Sequence, residues 1–387
     1  MSSKLVIVNH ASLRVGGGSE IFVLNIVPYL QRMGFDIIIL SPNSTLGEPE
    51  RLSFEAIKKR LEKLQYIEFA SLELPFFKKP AFPKNPFGVS KIIKEADIVY
   101  FSNYYLQGLL VSHFRTLARG KVKFIAGIHS PLLHGYVYQL RDILHNLYIE
   151  TINLKELKLF DLIQVMNPDD LEYLKRKGFS NVIYIPYGID LERFSYFSPK
   201  FKDSNAFKVL FVGRLTYQKG IDTLVRAINI VNKKIHSNEI MFYIVGSGPL
   251  YPLVKQILDK YDNIKYKGYI ENSQLPELLK ECHALVMPSY YESFGLVWLE
   301  AQASGLPVIV SNISPLNKLL MEDSAEFFEV GDPKSLAQKI LKLYSLWRND
   351  INIFVDMSLK ARINATKYDI RRTAYKLGKL FLKMSES

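Results

Sequence analysis

Residues 208–234 read KVLFVGRLTYQKGIDTLVRAINIVNKK, and this stretch decides the fold class. A short β-branched run ends at a glycine, and a segment with apolar residues at helical spacing begins after a second glycine. A buried strand that leads through a short loop into an amphipathic helix is the building unit of parallel α/β sheets. The stretch therefore predicts a strand, a loop at the carboxyl end of that strand, and a helix.

The same alternation recurs on both sides of this stretch. Strands are predicted in KLVIVNH, DIIILS, DIVYFS and VKFIAGIH before it, and in IMFYIVGSG, NIKYKGYI, ALVMPSYY and LPVIVS after it, with helical segments between them. A chain of 387 residues is longer than one hydrophobic core usually organises, so we expect two domains. The predicted fold class is α/β, with two Rossmann-like, doubly wound domains.

The joint between the domains is predicted where the alternation is interrupted. IPYGIDLERF contains Pro186 and Gly188 and leads into the polar run FSPKFKDSN. Residues 1–190 are expected to form the N-terminal domain and residues 191–367 the C-terminal domain. The basic, amphipathic segment 368–387 is expected to form a helix that returns to the first domain.

Composition excludes several classes of protein. The chain has 48% hydrophobic residues, a formal net charge of +12 and a single cysteine, Cys282. One cysteine rules out a disulfide framework or a cysteine-rich metal site and is typical of a reducing compartment. No apolar run approaches the roughly 20 residues of a membrane-spanning helix, and the opening MSSKLVIVNH lacks the features of an export signal. We expect a cytoplasmic, globular protein with an anionic partner.

Two glycine-rich loops follow predicted strands. RVGGGSE lacks the Lys-Ser/Thr end of a P-loop, and Gly16, Gly18 and Ile21 miss the G-x-G-x-x-G dinucleotide spacing. VGSGPL contains Gly246 and Gly248, which would allow a ligand to approach the backbone closely. The simpler interpretations are a flexible turn for the first loop and a tight turn for the second.

A third loop, VGRLTYQKG, carries two cations. Arg214 follows a predicted strand, and Lys219 stands just before Gly220 and the next helix. Arg offers a planar fork of donors and Lys a compact charge, so the pair could hold a diphosphate and stabilise it as it departs. The alternative is a pair of solvated surface cations.

Residues 292–311, ESFGLVWLEAQASGLPVIVS, carry two glutamates on an apolar background. In a helix that runs from about Phe294 onward, residues eight apart are separated by roughly 12 Å of rise. That spacing suits neither a shared metal nor a glycosidase pair, but it fits an extended nucleotide sugar whose sugar and ribose hydroxyls flank two phosphates. Glu292 and Glu300 would each accept from one end of the ligand. The alternative is a capping box from Ser289 to Glu292, with Glu300 as a surface charge.

The start of this predicted helix is a candidate phosphate site. Phe294, Gly295 and Leu296 would present the first N–H groups of the helix to the phosphates between the two glutamates.

The chain resembles the retaining glycosyltransferases of family 4 in an ordered set of motifs. The set is GGGSE, GIHSP, IPYGID, VGRLTYQKG, VGSGPL, ESFGLVWLEAQASGLPVIV and GDPKSLAQKI, and it covers nearly the whole chain. The two glutamates with the trailing G-x-P-V are the most specific member. The resemblance implies the GT-B fold, in which two facing Rossmann-like domains enclose an interdomain cleft.

The resemblance assigns a role to each polar motif. Arg214 and Lys219 match the pair that grips the donor diphosphate, Glu292 matches the glutamate at the donor sugar, and Glu300 matches the one that bonds the ribose. The family keeps the anomeric configuration, with the leaving diphosphate helping to deprotonate the acceptor. The fold is habitually metal-independent, and since the chain has no D-x-D motif, neither a metal nor another cofactor is expected.

Further donor contacts are implied in both domains. Gly17 and Gly18 match the glycine loop near the donor phosphates, and His129 matches a histidine that contacts the donor sugar. The alternative interpretation of His129 is a histidine at a strand end whose hydrogen bonds are made within the protein. Backbone groups near Gly268, Tyr269 and Leu275 are expected to recognise the base of a UDP- or GDP-sugar.

The sequence departs from the family pattern in two places. GIHSP lacks the aspartate that often follows the histidine. NISPLNKLLMEDS stands where the family often has a Gly-Gly loop and a Pro-Glu pair, so phosphate contacts from that loop are not expected.

The acceptor side is expected in the first domain. LPFFKKPAFPKNPFG interleaves four phenylalanines with three lysines, and its prolines argue against a regular helix or central strand. The phenylalanines are Phe76, Phe77, Phe82 and Phe87. Such a loop suits an anionic membrane surface and a lipid-linked hydroxyl acceptor on its cytoplasmic face, although it would equally line an acceptor cleft.

The predicted function is thus a retaining transferase that moves a sugar from a nucleotide sugar to a hydroxyl acceptor. A nucleotide-sugar 2-epimerase of the same fold is the nearest alternative, and it would consume donor without an acceptor. A basic nucleic-acid-binding protein is an alternative of another class, but no recognised nucleic-acid-binding motif is present, so no nucleic-acid partner is expected. A dinucleotide-dependent oxidoreductase is disfavoured because both glycine motifs miss the required spacing.

Overall fold

The computed structural model describes residues 3–45, 50–61, 64–74, 79–103, 108–118, 120–135, 140–199, 205–236 and 238–386. The chain divides into two compact units. Unit 1 comprises Met1–Gly188 and Ile370–Ser387, and unit 2 comprises Ile189–Asp369.

Unit 1 is built on a seven-stranded parallel sheet with the order β3-β2-β1-β6-β7-β8-β9. A separate antiparallel hairpin is formed by β4 and β5. The strands are β1 (Lys4–Asn9), β2 (Asp36–Pro42), β3 (Gln65–Phe69), β4 (Ser71–Leu74), β5 (Lys79–Pro83), β6 (Ile98–Ser102), β7 (Lys123–Ile128), β8 (Leu162–Val165) and β9 (Val182–Tyr184). The central strands are buried on both faces, which is why they read as unbroken β-branched runs rather than alternating ones.

Helices flank this sheet. They are α1 (Gly18–Arg32), α2 (Phe54–Arg60), α3 (Pro86–Lys94), α4 (Gly108–Ala118), α5 (Leu140–Tyr148), α6 (Leu154–Leu157) and α7 (Pro168–Arg176). One π-helical turn, Ile149–Asn153, joins α5 to α6. The phenylalanine- and lysine-rich segment contributes to the β4–β5 hairpin and to the start of α3; Phe76, Phe77 and Lys78 lie outside the described residues.

Unit 2 is built on a six-stranded parallel sheet with the order β12-β11-β10-β13-β14-β15. Its strands are β10 (Phe207–Val212), β11 (Ile240–Val245), β12 (Ile264–Gly268), β13 (Ala284–Met287), β14 (Val308–Ser311) and β15 (Ala325–Phe328). Its helices are α8 (Ile221–Asn232), α9 (Tyr251–Leu258), α10 (Leu275–Glu281), α11 (Leu296–Ala303), α12 (Leu316–Leu319), α13 (Pro333–Asn349) and α14 (Ile351–Thr366). The predicted α/β class, with two parallel, doubly wound sheets, is confirmed.

The last helix, α15 (Ile370–Ser385), belongs to unit 1. It packs against α1, where Gly378 is so close to Met33 that a Cβ at Gly378 would lie 2.5 Å from the Met33 sulfur. Phe381 is buried and its ring meets those of Phe35 and Tyr100. The apolar stripe of α15 thus completes the core of unit 1.

Each sheet has its own core of aliphatic and aromatic side chains under the flanking helices. Within the described residues, no helix has both the length and the apolar content needed to span a bilayer.

Candidate functional site

The strand order of unit 2 reverses between β10 and β13. The chain builds outward from β10 through β11 to β12, and then crosses to the other side of β10 and continues through β13, β14 and β15. In open α/β sheets, ligands bind beyond the carboxyl ends of the strands at such a reversal. The loops that follow β10 and β13 are therefore the candidate site, and they carry Lys219 and Glu292.

Backbone contacts hold these two loops together. The Tyr290 amide donates to the Gln218 carbonyl oxygen at 2.9 Å. Gly220 has φ +66, and a Cβ on it would lie 1.9 Å from the carbonyl oxygen of Pro288. Only glycine allows both this left-handed conformation and this close approach. The approach brings the residue before it, Lys219, next to the turn that follows Pro288.

Lys219 forms a largely buried ion pair with Glu292. Lys219 Nζ donates to Glu292 Oε1 at 2.5 Å, and Ser289 Oγ donates to the same oxygen at 2.7 Å. The side chains of Lys219 and Glu292 are only 21% and 7% exposed. The alternative of a solvated surface cation is therefore wrong for Lys219. Arg214 lies exposed on the same loop, and its contact with a diphosphate stays a prediction.

Helix α11 begins at Leu296, later than the expected start near Phe294. Gly295 has φ +80, a left-handed conformation that interrupts any helix running through it. The alternative in which Ser289 caps a helix containing Glu292 is therefore wrong. Because Glu292 precedes the helix, the helical spacing assumed for the two glutamates is wrong as well.

The amino end of α11 points backbone N–H groups out of the helix. Trp298 N donates to Gly295 O at 3.2 Å, so the amides of Leu296 and Val297 precede the first bonded turn. These amides and the helix dipole favour an anion at this end.

Phe294 acts through packing. Its side chain is buried against Trp298 and Tyr368, with ring centroids 5.3 Å and 5.5 Å away. Its carbonyl oxygen accepts from Trp298 Nε1 at 2.6 Å. The side chain of Phe294 therefore packs in the core beside α11, and its contact with a donor stays a prediction.

Glu300 is buried within α11 and is 7% exposed. Burial raises the pKa of its carboxyl to about 7, while the nearby Arg193 guanidinium and a hydrogen bond from the Asn272 side chain oppose that rise. Arg193 also donates to the Asn272 carbonyl oxygen. These three residues form a cluster, and the balance between burial and Arg193 decides how much of Glu300 is ionised near neutral pH.

Arg362 holds the turn that carries Arg193 against α11. It donates to the carbonyl oxygens of Phe194 at 2.7 Å, Leu191 at 3.1 Å and Ala303 at 2.5 Å. Arg193, Asn272 and Arg362 are not among the site residues predicted from the sequence. Arg193 lies in the IPYGIDLERF segment, whose Pro and Gly mark it in the sequence as a candidate for a site residue. No local sequence pattern marks Asn272 or Arg362.

Each glutamate of the site faces a cation. Glu292 bonds Lys219, and Glu300 lies near Arg193. Within the described ranges, no group of three or more His, Cys, Asp or Glu residues could hold a metal ion.

Both glycines of VGSGPL have positive φ angles and lie against the backbone of the neighbouring loop. Gly246 has φ +129, and its Cβ would lie 1.8 Å from the Gly213 carbonyl oxygen; Gly248 has φ +158, and its Cβ would lie 2.5 Å from the Leu215 carbonyl oxygen. Leu215 N donates to Ser247 O at 2.9 Å, which ties this loop to the one that carries the cations. The two glycines therefore support the site through loop packing, as the tight-turn interpretation holds, and their contact with a ligand stays a prediction.

The residues expected near the base lie at the end of β12 and the start of α10. Gly268 O accepts from Gly246 N at 2.7 Å, and open space surrounds the position of its missing Cβ. The Tyr269 side chain is exposed, whereas that of Leu275 is buried. Their role in base recognition stays a prediction.

In unit 1, the glycine loop leads directly into α1. Gly17 is the N-cap and Gly18 the first helical residue. A Cβ on Gly17 would lie 2.7 Å from Glu20 Oε2, and the Glu20 carboxyl accepts hydrogen bonds from the Gly17 backbone and the Asn9 side chain. Burial nevertheless raises the pKa of Glu20. A phosphate contact by this loop stays a prediction.

His129 follows β7 and is buried between two tyrosines. Its Nε2 lies 3.0 Å from Tyr100 Oη, and its Nδ1 lies 2.8 Å from Tyr187 Oη. Gln164 Nε2 donates to the Ile185 carbonyl oxygen, so Gln164 Oε1 accepts the Tyr100 hydroxyl proton at 2.6 Å. Tyr100 must then accept from His129 Nε2–H, and His129 Nδ1 must accept from Tyr187.

Both ring nitrogens of His129 are therefore engaged, and burial lowers its pKa to about 3. The geometry is that of the strand-end alternative, a neutral histidine satisfied within the protein. For its imidazole to contact a donor sugar, one of the tyrosine bonds would have to break. That contact stays a prediction.

Two family models match this chain, one in each half of the sequence. A model described as Glycosyltransferase Family 4 matches residues 16–193, and a model of glycosyl transferases group 1 matches residues 192–360. The chain belongs to the family-4 glycosyltransferases. The group 1 match contains Lys219, Glu292 and Glu300, and the Family 4 match contains His129 and the glycine loop.

Known relatives of this family-4 chain include the D-inositol 3-phosphate glycosyltransferase of Paenarthrobacter aurescens. The two are 29% identical over 204 residues, which cover 49% of this chain and 48% of that protein. The chain spans 36% to 48% of the length of several curated relatives that it matches.

Solved structures match over nearly the full length. The sucrose-phosphate synthase of Thermosynechococcus elongatus aligns with a TM-score of 0.75 at 20% identity and covers 98% of both chains. Anabaena HepE, solved in complex with UDP-glucose, aligns with a TM-score of 0.71 at 18% identity and covers 98% of this chain and 99% of its own. The shared fold is GT-B, as the resemblance implied.

Proposed function

We propose that this family-4 chain transfers a sugar from a nucleotide sugar to a hydroxyl acceptor, with retention of configuration and without a metal ion. The observation that carries the proposal is the Lys219–Glu292 pair at the strand-order reversal of unit 2, beside the amino end of α11. The lysine and the first backbone amides of α11 are suited to the negative charge of a diphosphate, and the carboxylate is suited to the hydroxyls of a sugar.

The diphosphate is held by Lys219, by Arg214 and by the first amides of α11. An ammonium has three N–H donors, and Lys219 uses one of them on Glu292, so the others can serve phosphate oxygens. Negative charge grows on the diphosphate as it leaves. Fixed donors at such a position typically contribute about 10²–10³ in rate.

The two glutamates orient the ends of the donor. Glu292, fixed through Oε1 by Lys219 and Ser289, accepts from hydroxyls of the transferred sugar. Glu300 accepts from the ribose hydroxyls, and Arg193 favours the ionised carboxylate that this role needs. A carboxylate that already binds a lysine and a serine is suited to orientation rather than to proton removal.

The reaction needs no protein nucleophile. The acceptor hydroxyl oxygen forms a bond to the anomeric carbon on the face from which the diphosphate departs, while the bond from that carbon to the phosphate oxygen breaks. The hydroxyl proton passes to the departing diphosphate. Lys219 and the α11 amides stabilise the diphosphate throughout, which supports retention without a covalent sugar–enzyme intermediate.

Two observations favour a particular class of donor and of acceptor. HepE was solved with UDP-glucose, and a pneumococcal O-GlcNAc transferase of the same fold was solved with UDP, so a UDP-sugar is the first donor to test and a GDP-sugar the second. The excess of basic residues favours an acidic acceptor environment, such as a lipid-linked saccharide on the cytoplasmic face of a membrane. Peripheral membrane binding is part of this proposal.

A donor panel tests the proposal. Release of nucleoside diphosphate from UDP-, GDP- and ADP-sugars is measured with the wild type, with Lys219→Ala and with Lys339→Ala. Lys339 pairs with Glu326 at 2.9 Å in the same unit, which makes it a matched control. Transfer of the sugar to an added acceptor, lost in Lys219→Ala and kept in Lys339→Ala, supports the proposal. Conversion of the donor sugar to its 2-epimer without an acceptor would overturn it in favour of an epimerase.

A further inference from the structure

Helix α5 carries an exposed apolar stripe. Twelve large apolar side chains are exposed in the described part of the chain, and five of them lie between residues 140 and 152. These five are Leu140, Ile143, Leu144, Leu147 and Ile152, with exposures of 49% to 70%. The first four have the i, i+3, i+4, i+7 spacing of one helix face. A concentrated apolar patch of this kind marks an interaction surface.

The opposite face of the same segment is packed into unit 1. Asp142, Ile149, Asn153 and Leu157 are buried. The segment is thus a two-sided helix whose inner face is part of the protein core. Its apolar outer face is exposed.

Side-chain bonds tie α5 to the loop that follows β7. His134 Nδ1 lies 2.9 Å from Asp142 Oδ1, and Asn146 exchanges hydrogen bonds with the backbone of His134 at 2.8 Å and 3.1 Å. The rings of His134 and His145 stack with centroids 4.0 Å apart. This loop begins at His129, at the carboxyl edge of the unit 1 sheet, where α/β proteins bind their ligands. The stripe is therefore anchored beside a ligand-binding edge.

The charge of the protein is concentrated in the same unit. Within the boundaries of unit 1 the sequence has 28 Lys and Arg against 18 Asp and Glu, a net charge of +10, whereas unit 2 has 22 against 20, a net charge of +2. Later in the same unit, Lys155 and Lys158 are exposed on and just after α6, and Lys175 and Arg176 are exposed at the end of α7. The acidic neighbour Glu150 is bonded to Lys177 at 2.6 Å.

We propose that the α5 stripe docks unit 1 on an anionic lipid bilayer, with the leucines and isoleucines among the headgroups and the exposed basic residues of unit 1 facing anionic lipid. An exposed apolar stripe on a unit with a strong excess of basic residues is typical of a surface that binds an anionic membrane interface. Each basic residue near such a surface adds electrostatic attraction, and the apolar side chains add hydrophobic burial. The proposal rests on the membrane association proposed above and names the surface responsible.

A second copy of the chain fits this surface less well. An isologous dimer through α5 would bring two units of +10 charge together, and like charges at an interface oppose association. An anionic bilayer is complementary to that charge. Among the described residues, the stripe lies on α5 and the π-helical turn that follows it, which suits shallow insertion.

Vesicle binding tests the proposal without donor or acceptor, so its outcome is independent of sugar transfer. The full chain is sedimented with vesicles of phosphatidylcholine alone and with vesicles that contain about 30% phosphatidylglycerol. The test variant is Leu144→Ser with Leu147→Ser. The control is Ile353→Ser with Ile363→Ser, two apolar residues on α14 of unit 2 with exposures of 52% and 56%.

The wild type and the α14 control are expected to bind the anionic vesicles equally, and the α5 variant at least about tenfold more weakly because binding scales with buried apolar area. Thermal unfolding of the variant checks that it folds, since both leucines are exposed. Equal binding by the α5 variant, or no binding by the wild type, would overturn the proposal. So would a concentration-dependent dimer that the α5 variant abolishes, because that result would assign the stripe to a second copy.

Discussion

Lys219 Nζ lies 2.5 Å from Glu292 Oε1, although the two residues are 73 positions apart in the sequence. They meet because β10 and β13 are hydrogen-bonded neighbours at the strand-order reversal, and because Gly220 lets the first loop touch Pro288. The pair joins the loops that follow β10 and β13, and it supplies the cation and the carboxylate of the proposed donor site.

Removal of the Lys219 charge is expected to impair catalysis more than stability. Lys219→Ala should lower kcat/KM by about 10²–10³, because the departing diphosphate loses a fixed donor. The Lys339→Ala control removes a comparable ion-pair lysine from the same unit and should leave kcat/KM unchanged. Steady-state kinetics on both variants decide the point, and an equal effect of the two substitutions would reduce Lys219 to a structural role.

Gly220→Ala is expected to displace the Lys219 loop. The new Cβ would clash with the Pro288 carbonyl oxygen and would also hold an alanine at φ +66. Gly268→Ala, at φ +63 with nothing within 4 Å of the new Cβ, has the backbone strain without the clash. The strain alone should cost about 1–2 kcal/mol. Urea unfolding should therefore show a clearly larger loss for Gly220→Ala, and similar losses would argue against a tight loop contact.

Donor affinity is expected to depend on pH through Glu300. Burial raises its pKa to about 7, and the proposed acceptor of the ribose hydroxyls is the ionised carboxylate, so affinity should rise as the pH increases through 7. Arg193→Ala removes the cation that lowers this pKa, and the midpoint should move to higher pH. Calorimetric titration should use an intact nucleotide sugar, because the terminal phosphate of a free nucleoside diphosphate titrates near pH 6 itself.

The control for Arg193→Ala is Arg348→Ala, which lies 56% exposed in the same unit beside Glu239. It should leave the affinity profile unchanged. A midpoint that stays in place in Arg193→Ala would show that Arg193 does not act on Glu300.

His129 is expected to affect acid stability. Its native pKa is about 3 against an ordinary 6.5, so between these values the unfolded chain binds a proton that the native chain does not. The free energy of unfolding should therefore fall as the pH drops below 6.5, by up to about 1.4 kcal/mol per pH unit from this group. His129→Gln should flatten the dependence measured by urea unfolding at pH 7, 6 and 5, whereas the exposed His236→Gln should not. Equal slopes in all three proteins would contradict a buried, neutral His129.

The fold could be predicted because parallel, buried strands leave a strong local pattern. Runs such as KVLFV and LPVIVS are apolar on both faces, and the segments between them have helical periodicity. The exact ends of strands and helices were harder to predict than their presence. The strand predicted in ALVMPSYY ends at Met287, and the helix expected near Phe294 starts at Leu296, because Pro288 and the left-handed Gly295 redirect the backbone.

The residue types of the candidate site stand out in the sequence, but the contacts between them do not. Lys219 and Glu292 stand out beside their glycines, yet their ion pair depends on the pairing of β10 with β13. Arg193 and Arg362 act on α11 from segments that lie far away in the sequence, so no spacing rule finds them. The helix that carries the α5 stripe could be predicted, but the exposure of the stripe could not. Apolar residues at helical spacing do not show whether that face of the helix is buried or exposed.

The most direct test of the central claim is nucleotide-sugar turnover by the wild type, Lys219→Ala and Lys339→Ala, with UDP-, GDP- and ADP-sugars and a hydroxyl acceptor. We expect one donor to lose its sugar to the acceptor with the anomeric configuration kept, at a rate that falls by about 10²–10³ only in Lys219→Ala. Turnover that is equal in all three proteins, or a product of inverted configuration, would contradict the account.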